Sequence, residues 1–343
     1  MKKYENEILI FLTSTWGIEA NKVIELSEGS AKCFIIYDKT DRYFFKVYQE
    51  KFNPQTVADE ISVCSYLTNK GFFVSTFIPT NQGTYIEKMN GKLCTLQKYI
   101  DGITFPKFEV PKVLLFDSAR VLANINIALE ELPIQLPLGF DQKWITEWSK
   151  ELVINKYHNL LAQLKNDDEN YNKIAMDFKS KCEIISAFHP ALFPFSSLTV
   201  ENTHGDYNVL QLIFSEDRVK AVIDFSSCAR LPICWELIRS YSLSSGECRN
   251  GRIDMDNFID YIKEYMKIKK LKKEDLELMP YFYLFSLLRS SFGYKGYIEK
   301  KKNGLLVDER DTSTLEFAFW RTNMAKWLFD NGDSLSSKLK KCW

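Results

Sequence analysis

The sequence predicts an α+β protein of two lobes, a small β-rich one at the N-terminus and a larger, mainly α-helical one behind it. Short runs of β-branched and aromatic residues, separated by turn chemistry, are concentrated before about residue 100. Beyond Asp101-Gly102, apolar residues recur at three- and four-residue spacing over long stretches, the period of an amphipathic helix. The length, 343 residues, exceeds one minimal domain and suits one large or two coupled domains. Apolar residues at 45% and charged residues at 26% are ordinary for a soluble globular protein, and 25 Phe with 17 Tyr supply a sizeable core.

Taken in order, Cys33 to Tyr37 and Tyr43 to Tyr48 read as strands joined by the turn Asp38-Lys39-Thr40-Asp41. A helix opens near Pro54, a good first-turn residue, carries the stripe Val57, Ile61, Cys64 and Leu67, and ends at Gly71. Tyr85 to Met89 and Leu93 to Tyr99 flank Asn90-Gly91, the strongest short hairpin signal. Helical spacing then covers Lys112 to Leu132, Lys143 to Leu164 and Tyr171 to Ala187. The Pro- and Ser-rich Pro190 to Ser197 follows, then a loop at 201–211, a strand from Val219 to Phe225, and further helices. The expected organisation is a small β-rich lobe at 1–96, a connector at 97–102 and a larger α-rich lobe at 103–343, with a cleft between lobes as the ligand site.

Lys plus Arg and Asp plus Glu both total 45, so the net charge is zero and gives no pull toward nucleic acid or an anionic membrane. No apolar run reaches the ~18 residues of a membrane span. Glu5 and Glu7 precede the short apolar stretch Ile8 to Leu12, so the N-terminus does not read as a signal peptide. The eight cysteines form no C-x-x-C pair and the three histidines complete no zinc pattern. Free thiols in a reducing cytoplasm are expected.

The sharpest feature is Thr203-His204-Gly205-Asp206-Tyr207-Asn208-Val209-Leu210-Gln211, with Asp224 closing Val222-Ile223-Asp224-Phe225. Phosphoryl transfer needs one carboxylate to accept a hydroxyl proton. It needs another, with a neutral oxygen donor, to hold Mg²⁺ against phosphates. Asp206 suits the first role; Asp224 and Gln211 suit the second. His204 is expected to order the loop by hydrogen bonding. Lys46, in Phe44-Phe45-Lys46-Val47-Tyr48, shares a strand face with bulky aromatics and so needs a partner or an anion. Glu60 on the following helix is a candidate partner, and such Lys–Glu pairs position ATP phosphates. The turn Ser27-Glu28-Gly29-Ser30-Ala31-Lys32 could cover phosphates with backbone N–H groups, Gly29 and Ser30 foremost, although it is not a G-x-G-x-x-G loop.

These pieces resemble the aminoglycoside phosphotransferase family, the protein-kinase-like small-molecule kinases that include choline, homoserine and macrolide kinases. The matching residues are Phe45-Lys46-Val47-Tyr48, Glu60, Leu96 to Gly102, His204-Gly205-Asp206 and Ala221 to Phe225. Cys228 to Pro232 and Trp235-Glu236-Leu237 continue the likeness. The resemblance implies a two-lobed protein-kinase-like fold with ATP, or another nucleoside triphosphate, and Mg²⁺ between the lobes. It implies that Lys46 holds the α- and β-phosphates, Glu60 orients Lys46, Asp206 is the base and Asp224 binds Mg²⁺. It also implies that the backbone of Gln97, Lys98 and Tyr99 binds adenine. The family usually has Asn where this chain has Gln211, and often His where it has Asn208; Gln keeps the amide oxygen and adds a methylene.

The expected activity is ATP- and Mg²⁺-dependent phosphorylation of a hydroxyl on a small molecule, an antibiotic or a metabolite alcohol. A nucleotide-binding protein without turnover is the alternative that Gln211 motivates. Only about ten residues separate Asp224 from the helical run at Trp235, and there is no Ala-Pro-Glu, so a protein acceptor is disfavoured. Tyr281 to Leu288 is expected to be core, and the lysines of 267–273 to be solvated. Asp308, Glu309, Asp311 and Glu316 would favour a cationic acceptor if they faced the cleft; on a helix surface they would be solvated. The acceptor's identity and the oligomeric state are not legible.

Overall fold

Ile8, Leu12 and Trp16 recur every four residues, and in the computed structural model they line one face of helix α1 (Lys2–Trp16). The structure describes residues 2–26, 31–140 and 143–343. Five strands follow or flank α1: β1 (Lys22–Leu26), β2 (Lys32–Tyr37), β3 (Arg42–Val47), β4 (Glu87–Met89) and β5 (Lys92–Lys98). They form one antiparallel sheet in the order β1-β2-β3-β5-β4. Its register sets Phe34, Phe45 and Leu96 in one row, buried with α1's Ile8, Leu12 and Trp16. Burying a side chain such as Phe45 contributes ~2 kcal/mol. The next row, Cys33, Lys46 and Thr95, belongs to the opposite face.

That opposite face receives α2 (Pro54–Asn69), which Asn53 caps by accepting the Thr56 N–H at 2.9 Å. Val63, Cys64 and Leu67 of α2 join the core of the larger lobe. The larger lobe is mainly helical: α3 (Lys112–Glu130), α4 (Lys143–Thr146), α5 (Lys150–Leu161), α6 (Tyr171–Ala187), α7 (Ile233–Ser244), α8 (Met255–Met266), α9 (Lys273–Arg289), α10 (Tyr294–Lys302) and α11 (Glu309–Lys340). Two short antiparallel pairs lie between α6 and α7: β6 (Val200–Thr203) with β9 (Ala229–Pro232), and β7 (Leu212–Phe214) with β8 (Val219–Val222). The predicted α+β, two-lobed, protein-kinase-like architecture holds.

Three elements differ from the expectation. The α1 helix is additional. The single helix expected over 143–164 is divided, because Ser149 caps a new start by accepting the Leu152 N–H at 3.2 Å. The strand expected to run to Phe225 stops at Val222, because Asp224 takes a left-handed backbone, φ 60° and ψ 64°. No described helix is long and apolar enough to cross a membrane, and all eight cysteines are free.

Candidate active site

The strand row that carries Lys46 faces α2, so a buried ammonium meets a buried carboxylate. Lys46 Nζ donates to Glu60 Oε1 at 3.2 Å and to Asp224 Oδ1 at 2.7 Å. The Tyr48 hydroxyl donates to Glu60 Oε2 at 2.8 Å, and the Tyr48 ring lies 4.7 Å from the Lys46 amine. Lys46 is 4% exposed and Glu60 is fully buried. Burial alone would push the amine down; the Asp224 and Glu60 carboxylates reverse that and hold it well above a lysine's ordinary value. Burial also opposes the charge on Asp224, but the Lys46 ammonium and the Ser226 hydroxyl, 2.6 Å from Oδ1, bring its carboxyl down to about 2. Lys46 and Asp224 are therefore charged; burial raises the Glu60 carboxyl against the pull of Lys46, and the lysine cannot swing free without leaving Glu60 uncompensated.

The second half of the site is the loop after β6. Gly205 sits at φ +78°, and a Cβ there would lie 1.9 Å from the Ser227 carbonyl oxygen, so only glycine lets this loop touch the turn that carries Asp224. His204 is fully buried, and burial pushes its imidazole below the ordinary value. Its neutral ring spans the two loops: Nε2 donates to the Ile223 carbonyl at 2.9 Å, and Nδ1 accepts the Asp206 N–H at 3.3 Å. Asp206 Oδ1 accepts from Arg239 and from Asn208 Nδ2 at 3.2 Å; Oδ2 accepts only from Gln211 Nε2, at 3.3 Å. The Gln211 backbone is held against the Asp224 strand by the Ile223 N–H, 2.9 Å from its carbonyl.

Among the described residues, no group of three or more His, Cys, Asp or Glu could hold a metal alone. The donors fit Mg²⁺ in another way. Asp224 Oδ2 and the Gln211 amide oxygen carry no hydrogen bond, and Mg²⁺ is commonly held by one or two carboxylates plus substrate phosphates.

Lys46, Glu60, Asp206, Gln211 and Asp224 thus gather where the lobes meet. Gly29 and Ser30 lie outside the described residues. Gln97, Lys98 and Tyr99 lie at the end of β5, but two of their N–H groups are occupied: Lys98 donates to Thr76 O at 2.9 Å and Tyr99 to Arg42 O at 3.2 Å. Among the described residues, the next amide, Ile100, has no hydrogen-bond acceptor.

Sequence reasoning assigned no role to Glu236 or Arg239. Glu236 accepts the Gly205 N–H at 2.6 Å, its other oxygen is buried without a partner, and burial pushes its carboxyl up to about 7. Arg239, one turn on, clamps Asp206. The available signal was two charged residues three apart, Glu236 inside the apolar run Ile233 to Ile238 and Arg239 directly after it.

Residues 22–262 match the model of the phosphotransferase enzyme family (APH). Among solved structures, spectinomycin phosphotransferase in complex with ADP and spectinomycin is 13% identical, with TM-score 0.63 and coverage of 96% of this chain and 98% of that one. A microcompartment-associated aminopropanol kinase is 12% identical, with TM-score 0.63 and coverage of 98% and 100%. The choline kinase of Streptococcus pneumoniae is 13% identical, with TM-score 0.56 and coverage of 93% and 99%. At these identities the likeness is one of fold. No curated protein matches the sequence.

Proposed function

The chain belongs to the phosphotransferase enzyme family, and from that premise we propose that it transfers the γ-phosphoryl group of ATP to a hydroxyl of a small molecule. The observation that carries the reading is the Lys46–Asp224 contact, 2.7 Å across the two lobes, with Asp206 on the adjoining loop. Solved relatives of the same fold, bound to ADP or to an ATP analogue, support the nucleotide.

Asp206 is the base. Arg239 and Asn208 hold Oδ1, leaving the lightly bonded Oδ2 to accept the acceptor's proton. The acceptor oxygen bonds to the γ-phosphorus as the bond to the β–γ bridging oxygen breaks, and ADP leaves with that electron pair. Lys46 neutralises charge on the α- and β-phosphates, oriented by Glu60. Asp224 and Gln211 would hold Mg²⁺, which would supply positive charge to offset that of the phosphates. Adenine is read at the connector 97–102, which divides a nucleotide lobe at 1–96 from the acceptor lobe at 103–343. With the Lys98 and Tyr99 amides engaged, the Ile100 amide is the donor left for it.

Asp206→Asn tests the assignment. It keeps the loop's hydrogen-bonding shape but removes the base. Turnover, read as ADP release with Mg²⁺ and an acceptor, should fall ~10³-fold while nucleotide affinity stays within about twofold. Unchanged turnover would remove Asp206 from the role.

A further inference from the structure

We propose that the acceptor alcohol carries an anionic group, a carboxylate or a phosphate, which Lys107 and Arg321 hold beside Asp206. The proposal rests on the kinase reading and names the substrate class of the same site.

The geometry is a set of cations laid on aromatic rings around the base. Arg239, bonded to Asp206, lies 5.3 Å from the Trp235 ring. Lys107, on the segment entering α3, places Nζ 3.8 Å from the centroid of Phe317 on α11. Phe317 stacks on Trp320 at 5.2 Å and meets Phe292 edge-on at 6.3 Å. The Arg321 guanidinium lies 5.9 Å from that same Phe292 ring. Lys107 and Arg321 therefore bracket one aromatic patch. Among the described residues neither has an ion pair or a hydrogen bond.

The carboxylates that could have neutralised them are engaged elsewhere. Asp308 and Asp311 close the capping box of α11, and Asp311 holds Lys300. Glu316 pairs with Lys173 at 2.6 Å. Asp177 accepts from Tyr294 and from Thr322, the latter at 2.8 Å. The acids that would have favoured a cationic acceptor thus lie on the outside of α11. Lys107 lies close enough to feel the charges of Arg239, Asp206 and Arg321, and Asp206 itself is bonded to Arg239.

An uncompensated cation in a half-buried site is unfavourable, and aromatic faces offset only part of that. Burial, then the neighbouring Arg239, push the Lys107 amine down to about 8, and burial also lowers Arg321. A bound anion relieves both, and a guanidinium fork reads a carboxylate or phosphate with two parallel hydrogen bonds. A cationic acceptor would meet like charge. The nucleotide's phosphates have a separate cation, Lys46, already set between Glu60 and Asp224.

The test uses the full chain saturated with Mg²⁺ and a non-hydrolysable ATP analogue, so that the nucleotide site is filled. Inorganic phosphate and malonate are titrated by calorimetry as the phosphate and carboxylate probes. Saturable binding of at least one is expected, weakened about tenfold or more in Arg321→Gln and in Lys107→Gln while analogue affinity is unchanged. Lys107 lies on a loop, so its variant keeps the test sound if Arg321→Gln misfolds. Absence of binding by either anion, binding that survives in both variants, or loss of analogue affinity in step with it would overturn the proposal. Turnover assays on the same samples separate the two readings: ADP release without anion binding removes the anionic acceptor alone. Anion binding with no transfer to any alcohol removes the kinase reading and leaves a binding site.

Discussion

The charges of this protein are handled in opposite ways on the two sides of its cleft. On the sheet side, Lys46 is closed between Glu60 and Asp224, and Tyr48 satisfies the remaining Glu60 oxygen. On the helical side, Lys107 and Arg321 rest on aromatic rings with no carboxylate. A triad whose ammonium is neutralised by two carboxyl groups is preorganised: it holds its geometry before any ligand arrives. Uncompensated cations are a reservoir of binding energy that an anion would release.

Breaking the neutralised side should have the largest effect. Lys46→Ala leaves Glu60 buried without its ammonium, and should lower stability in urea by about 3–5 kcal/mol as well as abolish nucleotide affinity. Gly205→Ala forces a Cβ into the Ser227 carbonyl and an alanine into a left-handed backbone. It should cost about 3 kcal/mol by the same measurement, and separate the Asp206 and Asp224 loops.

A smaller effect concerns Glu236, whose folded carboxyl titrates near 7 against about 4.5 in the unfolded chain. Between those values the native protein keeps a proton that the unfolded chain has released. This contribution is full below pH 4.5 and is lost as pH rises toward 7. Glu236→Gln should remove that slope, gaining about 3 kcal/mol relative to wild type between pH 4.5 and 8, as read by denaturation at both values. Parallel curves would show that Glu236 is charged in the native state.

The smallest effect, opposite in sign to that of Lys46→Ala, sharpens the contrast most. Arg321→Gln removes a cation that has no partner, so the melting temperature should stay level or rise, by no more than about 1 kcal/mol equivalent. A loss as large as that of Lys46→Ala would mean that Arg321 is structural.

The sheet side was also the more legible in the sequence. Asn90-Gly91 lies at the hairpin between β4 and β5, and Asp38 to Asp41 at the one between β2 and β3. The partnership of Lys46 with Glu60 followed from strand alternation and helix position. Local rules suffice where one strand meets the next helix. They failed for α1, whose every-fourth-residue apolar stripe is short, and for the break at Ser149, where a capping side chain overrides continuous periodicity. They could not reach the helical side. Lys107, Arg239 and Arg321 are separated by more than two hundred positions, and only the packing of α7 and α11 against the segment before α3 brings them within reach of one another. A charge without a partner has no local signature in sequence.

If Asp224 and Lys46 grip a magnesium nucleotide across the lobes, titration of an ATP analogue with and without Mg²⁺ will show it. Wild type should bind more tightly when the metal is present, and Asp224→Asn should lose that enhancement. Binding indifferent to Mg²⁺ in wild type, or an enhancement that persists in Asp224→Asn, would contradict it.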